Sequence, residues 1–245
     1  SPNTESDRLQ MLQAIGVSSV EELFQDIPAD YRDPTLDLPP PLSELELRRE
    51  VEAMARLNAT PGEYACFLGA GSYRHHIPAI VRQITGRSEY MTSYTPYQPE
   101  VSQGTLQAAY EYQSMVCQLT GMEVANAGMY DGATSMAEAS LMAARITNGH
   151  RVAVLDTISP RYRDVLGTFV QAPGLEIDTF PSTQVELKEG TACLIVQQPN
   201  FFGYFENMDR LSEKAHSEGA LLVVHVDPVS LGMFRPPADY GADIV

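Results

Sequence analysis

This sequence has few basic side chains, few cysteines and no long apolar run. Its 245 residues contain 16 lysines and arginines against 32 aspartates and glutamates, a formal net charge of −16. Because nucleic-acid affinity depends on clustered Lys and Arg, this charge disfavours nucleic acid and anionic membranes as partners. No apolar run approaches the roughly 20 residues of a membrane-spanning helix. We therefore expect neither nucleic-acid binding nor insertion into a membrane.

Cysteine usage predicts a reducing compartment. Cys66, Cys117 and Cys193 are an odd set without a C-x-x-C pair, which favours three reduced, buried thiols in a cytoplasmic protein. The sequence also lacks an H-x-x-x-H pattern or a Cys/His cluster, so it predicts no metal site.

Two regions differ in composition. Residues 1–60 are predicted to form a helical arm, with capping boxes at Ser19-x-x-Glu22 and Ser43-x-x-Glu46 and a proline-rich connector over residues 33–41. The remaining residues, 61–245, are predicted to form one larger domain.

In the larger domain, apolar segments alternate with helical segments, which predicts an α/β fold with a mostly parallel sheet covered on both faces. The predicted strands are 151–155, 175–180, 192–197 and 221–226, and the predicted helices are 104–119, 134–146, 160–171 and 208–217. Residues 242–245 are predicted to begin a further strand. Since domains rarely end inside a strand, we expect the natural chain to continue beyond Val245 and the cut sheet edge to favour aggregation.

Asp227 follows a buried apolar run at the predicted carboxyl end of a strand, where open α/β sheets bind ligands. A carboxylate there can hold a cationic ring nitrogen, or it can cap a turn ahead of Pro228. His225 lies two residues earlier, so both side chains share one face and could form a small polar site.

The turn at Tyr130 and Asp131 leads into a helix whose N-terminus carries Thr134 and Ser135. Free N–H groups and hydroxyls at a helix N-terminus suit a phosphate or carboxylate. An ordinary N-cap made by Asp131 or Thr134 is the alternative.

A loop with two prolines presents Tyr94, Thr95 and Tyr97 on a stiff frame. Its phenols can act as rigid stacking surfaces with a polar end. A loop that packs against the body of the protein is the alternative.

Several long motifs resemble the P-protein of the glycine cleavage system. They are residues 16–24 (GVSSVEELF), 67–71 (FLGAG), 93–107 (SYTPYQPEVSQGTLQ), 119–126 (LTGMEVAN) and 130–134 (YDGAT). The first of them is most similar to the separate alpha subunit of the two-subunit bacterial form.

The resemblance implies a fold-type-I pyridoxal phosphate (PLP) architecture, like that of aspartate aminotransferase, and a glycine-decarboxylating enzyme. It implies that a beta subunit holds PLP covalently, and that the aminomethyl group passes to the lipoyl disulfide of H-protein. By the same resemblance, Asp227, His225, Tyr130, Thr134 and Ser135 occupy the cofactor region, either as a working site or as relics. Tyr94, Thr95 and Tyr97 reach across the subunit interface as catalytic residues. Cytoplasmic localisation is expected.

Two other functions remain open at this point. The chain could belong to an independent homodimeric PLP enzyme whose lysine follows Val245, or to a pseudo-enzyme that only scaffolds. The only lysines, Lys188 and Lys214, lie in polar segments and are expected to face solvent. The usual Schiff-base lysine is therefore not expected within these residues.

Overall fold

The computed structural model describes residues 3–67, 69, 73–91 and 95–245. Its contacts divide the chain into two compact units, Ser1–Ala65 and Cys66–Val245. The described part of the first unit contains helices and turns, and the four strands all belong to the second unit.

The first unit contains helices α1 (Glu5–Ile15) and α2 (Glu44–Ala55) and two short 3-10 turns, Glu21–Phe24 and Ala29–Tyr31. The capping box predicted for α2 is confirmed. The Ser43 amide donates to the Glu46 carboxylate at 2.9 Å, and the Glu46 amide donates to Ser43 Oγ at 3.4 Å. These bonds satisfy two amides that a helix start leaves unpaired, which fixes the first turn of α2.

The capping box predicted at Ser19 and Glu22 is wrong. This segment forms the 3-10 turn Glu21–Phe24, in which Glu22 is the second residue. The Glu22 carboxylate accepts from the Ser18 amide at 3.3 Å rather than from Ser19, although the Glu22 amide does donate to Ser19 Oγ at 3.4 Å. A turn of four residues does not place the glutamate at the third position of an α-helix, where the reciprocal bond forms.

The second unit alternates helices and strands. In chain order it contains α3 (Ala79–Thr85), α4 (Ser88–Met91), α5 (Gln103–Thr120), α6 (Gly132–Thr147), β1 (Arg151–Leu155), α7 (Pro160–Gln171), β2 (Glu176–Phe180), β3 (Thr191–Gln198), α8 (Met208–Ser217) and β4 (Leu221–Val226). Two 3-10 turns follow β4, at Pro228–Gly232 and Pro237–Tyr240.

The sheet has the order β2-β1-β3-β4, and every neighbouring pair is parallel. The predicted α/β class with a parallel sheet is confirmed. The central strands β1 and β3 are buried on both faces, which is why they read as unbroken apolar runs in the sequence. Because all strands run the same way, their carboxyl ends meet at one edge of the sheet, as ligand sites in such folds require.

The two faces of β4 meet different helices. His225 approaches the first residue of α6, whereas α8 also packs on β4. Since side chains alternate along a strand, Leu222, Val224 and Val226 point to the face opposite His225. Leu222 and Val224 are almost fully buried there.

Three smaller expectations need correction. Helix α6 begins at Gly132, two residues before the predicted start, because Asp131 caps it. Residues 242–245 form a single parallel bridge between Val223 and Ile244, without a regular strand. Of the three cysteines, Cys193 is buried and Cys117 partly buried, but Cys66 is exposed.

Among the described residues, no helix combines the length and apolar character needed to cross a membrane. The same residues contain no cluster of three or more His, Cys, Asp or Glu side chains that could hold a metal ion.

Candidate functional site

His225 lies on β4, near the carboxyl edge of the sheet, and is partly buried. Its ring meets the ring of Tyr162, on α7, edge to face, with centroids 4.9 Å apart and planes at 76°. Burial lowers the pKa of His225, and the negative charge of Asp227 opposes this shift only in part. The imidazole is therefore held neutral near pH 7.

Asp227 acts as a cap. Its Oδ1 accepts from the Val229 amide at 3.0 Å, and its carbonyl accepts from Ser230 Oγ at 2.6 Å, which together start the turn Pro228–Gly232. The second carboxylate oxygen, Oδ2, has no hydrogen-bond donor among the described residues. Asp227 thus combines the capping role with one oxygen that remains available to a donor.

The turn that was predicted to bind an anion is instead capped by the carboxylate of Asp131. Asp131 Oδ1 accepts from the Thr134 amide at 2.8 Å, and the Asp131 amide donates to Thr134 Oγ1 at 3.2 Å, a complete capping box. Ser135 Oγ donates to the Asp131 carbonyl at 2.6 Å. Hydrogen bonds from the Thr134 backbone and side chain lower the pKa of Asp131, so the cap is negatively charged at neutral pH. Tyr130 beside it is 96% exposed.

Gly132 lies where the start of α6 meets the His225 and Tyr162 side chains. A Cβ at this position would lie 2.9 Å from the Tyr162 hydroxyl and 3.0 Å from His225 Cε1. Both distances are shorter than van der Waals contact, so the start of α6 packs directly against the His225 and Tyr162 side chains. The structure therefore brings His225, Asp227 and the α6 N-terminus together.

The loop predicted to be catalytic is not packed into this site. Tyr94 lies outside the described residues. Thr95 is exposed, and Tyr97 is 82% exposed, with its amide donating to the Thr95 carbonyl at 2.9 Å. The phenol of Tyr97 therefore faces away from the body of the second unit.

Both lysines lie away from the carboxyl edge. Lys188 pairs with Asp178, which also binds Arg151 at 2.8 Å, at the opposite end of the sheet. Lys214 bridges to Glu218 at 2.9 Å along α8. Neither ammonium group approaches Asp227.

Sequence reasoning missed Tyr162 and Gly132. Tyr162 lies in the first turn of a helix that carries no motif, and only the fold brings its ring to His225. Gly132 stood inside a quoted motif, but its close approach to α7 and β4 is visible only in three dimensions.

A parallel sheet with polar residues at its carboxyl edge and a helix N-terminus beside them is the core of fold-type-I PLP-dependent enzymes. Sphingosine-1-phosphate lyase from Burkholderia pseudomallei shares this fold, with a TM-score of 0.55 and 16% identity over 81% of this chain and 51% of that chain.

The particular family follows from closer relatives. The glycine cleavage system P-protein family matches residues 1–245, and the chain belongs to that family. It is 50% identical to the probable glycine dehydrogenase (decarboxylating) subunit 1 of Thermomicrobium roseum, and 46% identical to that of Desulforamulus reducens. Each alignment covers 100% of this chain but 57% of the relative, so the chain spans just over half the length of these curated relatives.

A solved structure agrees with this family. An inhibitor-bound glycine decarboxylase, the P-protein of the glycine cleavage system, superposes with a TM-score of 0.86 and 43% identity. The superposition covers 99% of this chain and 56% of that chain.

The residues at the edge of this sheet do not fit PLP. A phosphate needs the free amides of a helix N-terminus, but Asp131 places a carboxylate there, and like charges repel. The hydroxyls of Thr134 and Ser135 are bonded to Asp131. Tyr162 and His225 fill the space against Gly132, and neither lysine of the chain is near.

Proposed function

We propose that this chain is part of the alpha subunit of a glycine cleavage P-protein and that it works with a beta subunit. Together they decarboxylate glycine with PLP and transfer the aminomethyl group to the lipoyl group of H-protein, an oxidation of a CH–NH2 group with a disulfide as acceptor. The observation that carries the proposal is the 50% identity, across the whole chain, to a subunit 1 of glycine dehydrogenase.

The capped α6 N-terminus supports placing the cofactor on the beta subunit. The Asp131 carboxylate occupies the position where a phosphate would bind, and the two lysines are paired with acidic residues elsewhere. In this proposal Asp227, His225, Tyr130, Thr134 and Ser135 are relics of a cofactor site. Asp227 now caps the turn Pro228–Gly232, and Thr134 and Ser135 bond to Asp131, which stabilises the alpha fold.

Exposed apolar side chains support a partner protein. On α2, Leu45, Leu47, Val51 and Met54 are between 52% and 59% exposed. On α5, Tyr110 is 72% exposed and Met115 is 55% exposed. Soluble proteins rarely leave such groups facing water unless another polypeptide covers them. We assign these two surfaces to contacts with the beta subunit.

The chemical contribution of this chain is the loop that carries Thr95 and Tyr97. With an exposed phenol on a frame stiffened by two prolines, the loop can enter a neighbouring site, where Tyr97 would donate a hydrogen bond and help to exclude water. Tyr94 and Thr95 belong to the same loop and share this proposed role. The beta subunit supplies the cofactor and its lysine.

Reconstitution tests this function. The full-length chain and its beta subunit are purified separately and assayed alone and together for release of labelled CO2 from glycine with lipoylated H-protein. We expect activity only from the mixture. Full activity of the beta subunit alone would make this chain a scaffold, and activity of this chain alone would make it an independent enzyme; either result refutes the proposal.

The loop has its own test. Tyr97→Phe should lower kcat of the assembled enzyme about threefold to tenfold, the value of one lost hydrogen bond, without weakening subunit association. Tyr64→Phe is the matched control, because Tyr64 is 64% exposed and belongs to no candidate site. Equal rates for the two variants would assign the loop a structural role.

A further inference from the structure

A cavity of about 370 Å³ lies at the carboxyl edge of the sheet, on the face opposite His225 and Asp227. Val226 lines it, and strand alternation turns Val226 away from His225. The N-terminus of α8 and the turn after β4 form the other walls. Its volume is in the range of small-molecule sites, and the relic cofactor residues do not line it.

One part of the cavity is apolar and aromatic. The rings of Phe205 and Phe234 lie 4.1 Å apart, centroid to centroid, at an angle of 44°. Met208, Leu231 and Val226 extend this surface. Apolar walls of this kind favour a ligand with an aromatic or branched aliphatic body.

The other part offers hydrogen-bond donors. Tyr240 is 6% exposed, and its hydroxyl is buried without a hydrogen-bond partner among the described residues. Burial raises the pKa of Tyr240 to about 12, so the hydroxyl keeps its proton. A buried donor without an acceptor is costly, and a ligand oxygen would remove that cost.

Two amide groups add to these donors. The oxygen of Gln198 accepts from the Glu206 amide at 3.0 Å, and the oxygen of Asn207 accepts from the Arg210 amide at 3.2 Å. Each side chain is thereby oriented, and each NH2 group has no acceptor within the part of the chain that the structure describes. The polar wall therefore favours a ligand group that accepts hydrogen bonds.

Charge excludes an anionic ligand. The Arg235 guanidinium binds both oxygens of Asp209, at 3.0 and 2.8 Å, and lies 5.7 Å from the centre of the Tyr240 ring. This pair is neutral as a whole, which leaves Glu206 as the uncompensated charge of the lining in a chain of net charge −16. A carboxylate would be repelled. Glu206 Oε1 already accepts from Thr157 Oγ1 and Asn200 Nδ2, both at 2.8 Å, and an ammonium cannot use the donors of Tyr240, Gln198 and Asn207.

We propose that this cavity binds an uncharged small molecule with an aromatic or branched apolar body and a carbonyl oxygen, the chemistry of a neutral amide or ester. The apolar body contacts Phe205 and Phe234, and the carbonyl oxygen accepts from the Tyr240 hydroxyl. The site is separate from the proposed glycine chemistry, and its test does not depend on that activity.

The test uses three probes of one shape but different charge: N-benzylacetamide, phenylacetate and benzylammonium. Binding to the full-length chain, alone and with its beta subunit, is measured by saturation-transfer NMR and titration. We expect the neutral amide to bind and the two charged probes to bind at least tenfold more weakly. Equal binding of all three probes, or none by the amide because other polypeptide fills the cavity, would overturn the proposal.

A variant of Tyr240 tests whether the ligand binds at its hydroxyl. Tyr240→Phe keeps the ring and removes only the unpartnered hydroxyl, so the protein should fold with an unchanged or higher Tm. We expect its dissociation constant for N-benzylacetamide to rise about threefold to tenfold. Tyr204→Phe is the matched control, because Tyr204 is 71% exposed and does not line the cavity. Identical affinities in the two variants would refute the assignment of Tyr240.

Discussion

Gly121→Ala should destabilise the protein by more than backbone strain alone. Gly121 ends α5 in the left-handed region, with φ of +76°, and its amide donates to the Cys117 carbonyl at 2.8 Å. A Cβ at this position would lie 2.7 Å from the Cβ of Ala238, in the turn that carries Tyr240. The glycine therefore permits both the helix end and the close approach of that turn.

Two costs add at this position. A side chain in the left-handed region costs about 1–2 kcal/mol. Forcing two methyl groups together where the chain is packed costs about 1–3 kcal/mol more. We therefore expect Gly121→Ala to lower the free energy of unfolding by about 2–5 kcal/mol.

Gly174→Ala separates the two costs. Gly174 has φ of +72°, but a Cβ there would meet no atom within 4 Å. Gly174→Ala should therefore lower the free energy of unfolding only by the backbone strain, about 1–2 kcal/mol. Urea unfolding of the full-length variants, followed by circular dichroism, measures both losses. Equal losses would refute the inferred contact between α5 and the Pro237–Tyr240 turn.

Two further predictions concern titratable side chains. Because the pKa of His225 is lowered in the folded protein, the unfolded chain binds a proton more readily. The stability contributed by the neutral ring is therefore present above the ordinary histidine pKa of 6.5 and is lost as pH falls below it. Unfolding free energies measured from pH 7 to 5 should therefore decline less in His225→Gln than in the unsubstituted protein, and parallel curves would contradict this. Burial raises the pKa of the Cys193 thiol to about 12, whereas Cys66 is exposed. Iodoacetamide at pH 8 should therefore label Cys66 in the folded protein and Cys193 only after unfolding, as peptide mass spectrometry would show; early labelling of Cys193 would contradict its burial.

Much of the sheet could be predicted from the sequence because β1, β3 and β4 consist largely of buried apolar residues, whereas the edge strand β2 is partly exposed. Arg151–Leu155 and Leu221–Val226 have the predicted bounds, since an apolar run between polar turns has no other stable place in an α/β fold. Helices with sharp ends, such as Met208–Ser217, were also predictable, because Asn207 caps one end and Gly219 follows the other.

The candidate site was less predictable, because tertiary contacts decide which residues come together and what they can bind. The sequence allowed either an anion site or a cap at the start of α6, and only the Asp131 bonds favour the cap. The contact of Tyr162 with His225 joins residues 63 positions apart that share no motif. The cavity lined by Tyr240 was missed for the same reason, since its walls come from the end of β3, the start of α8, the end of β4 and the turns after β4.

We propose that this chain works in a glycine-decarboxylating enzyme without binding the cofactor covalently itself. Borohydride reduction of the assembled full-length subunits with PLP, followed by peptide mass spectrometry, tests this most directly. We expect a pyridoxyl-lysine in the beta subunit and none in this chain. A pyridoxyl-lysine in this chain would refute the proposal and would make Asp227 a working partner of the cofactor ring.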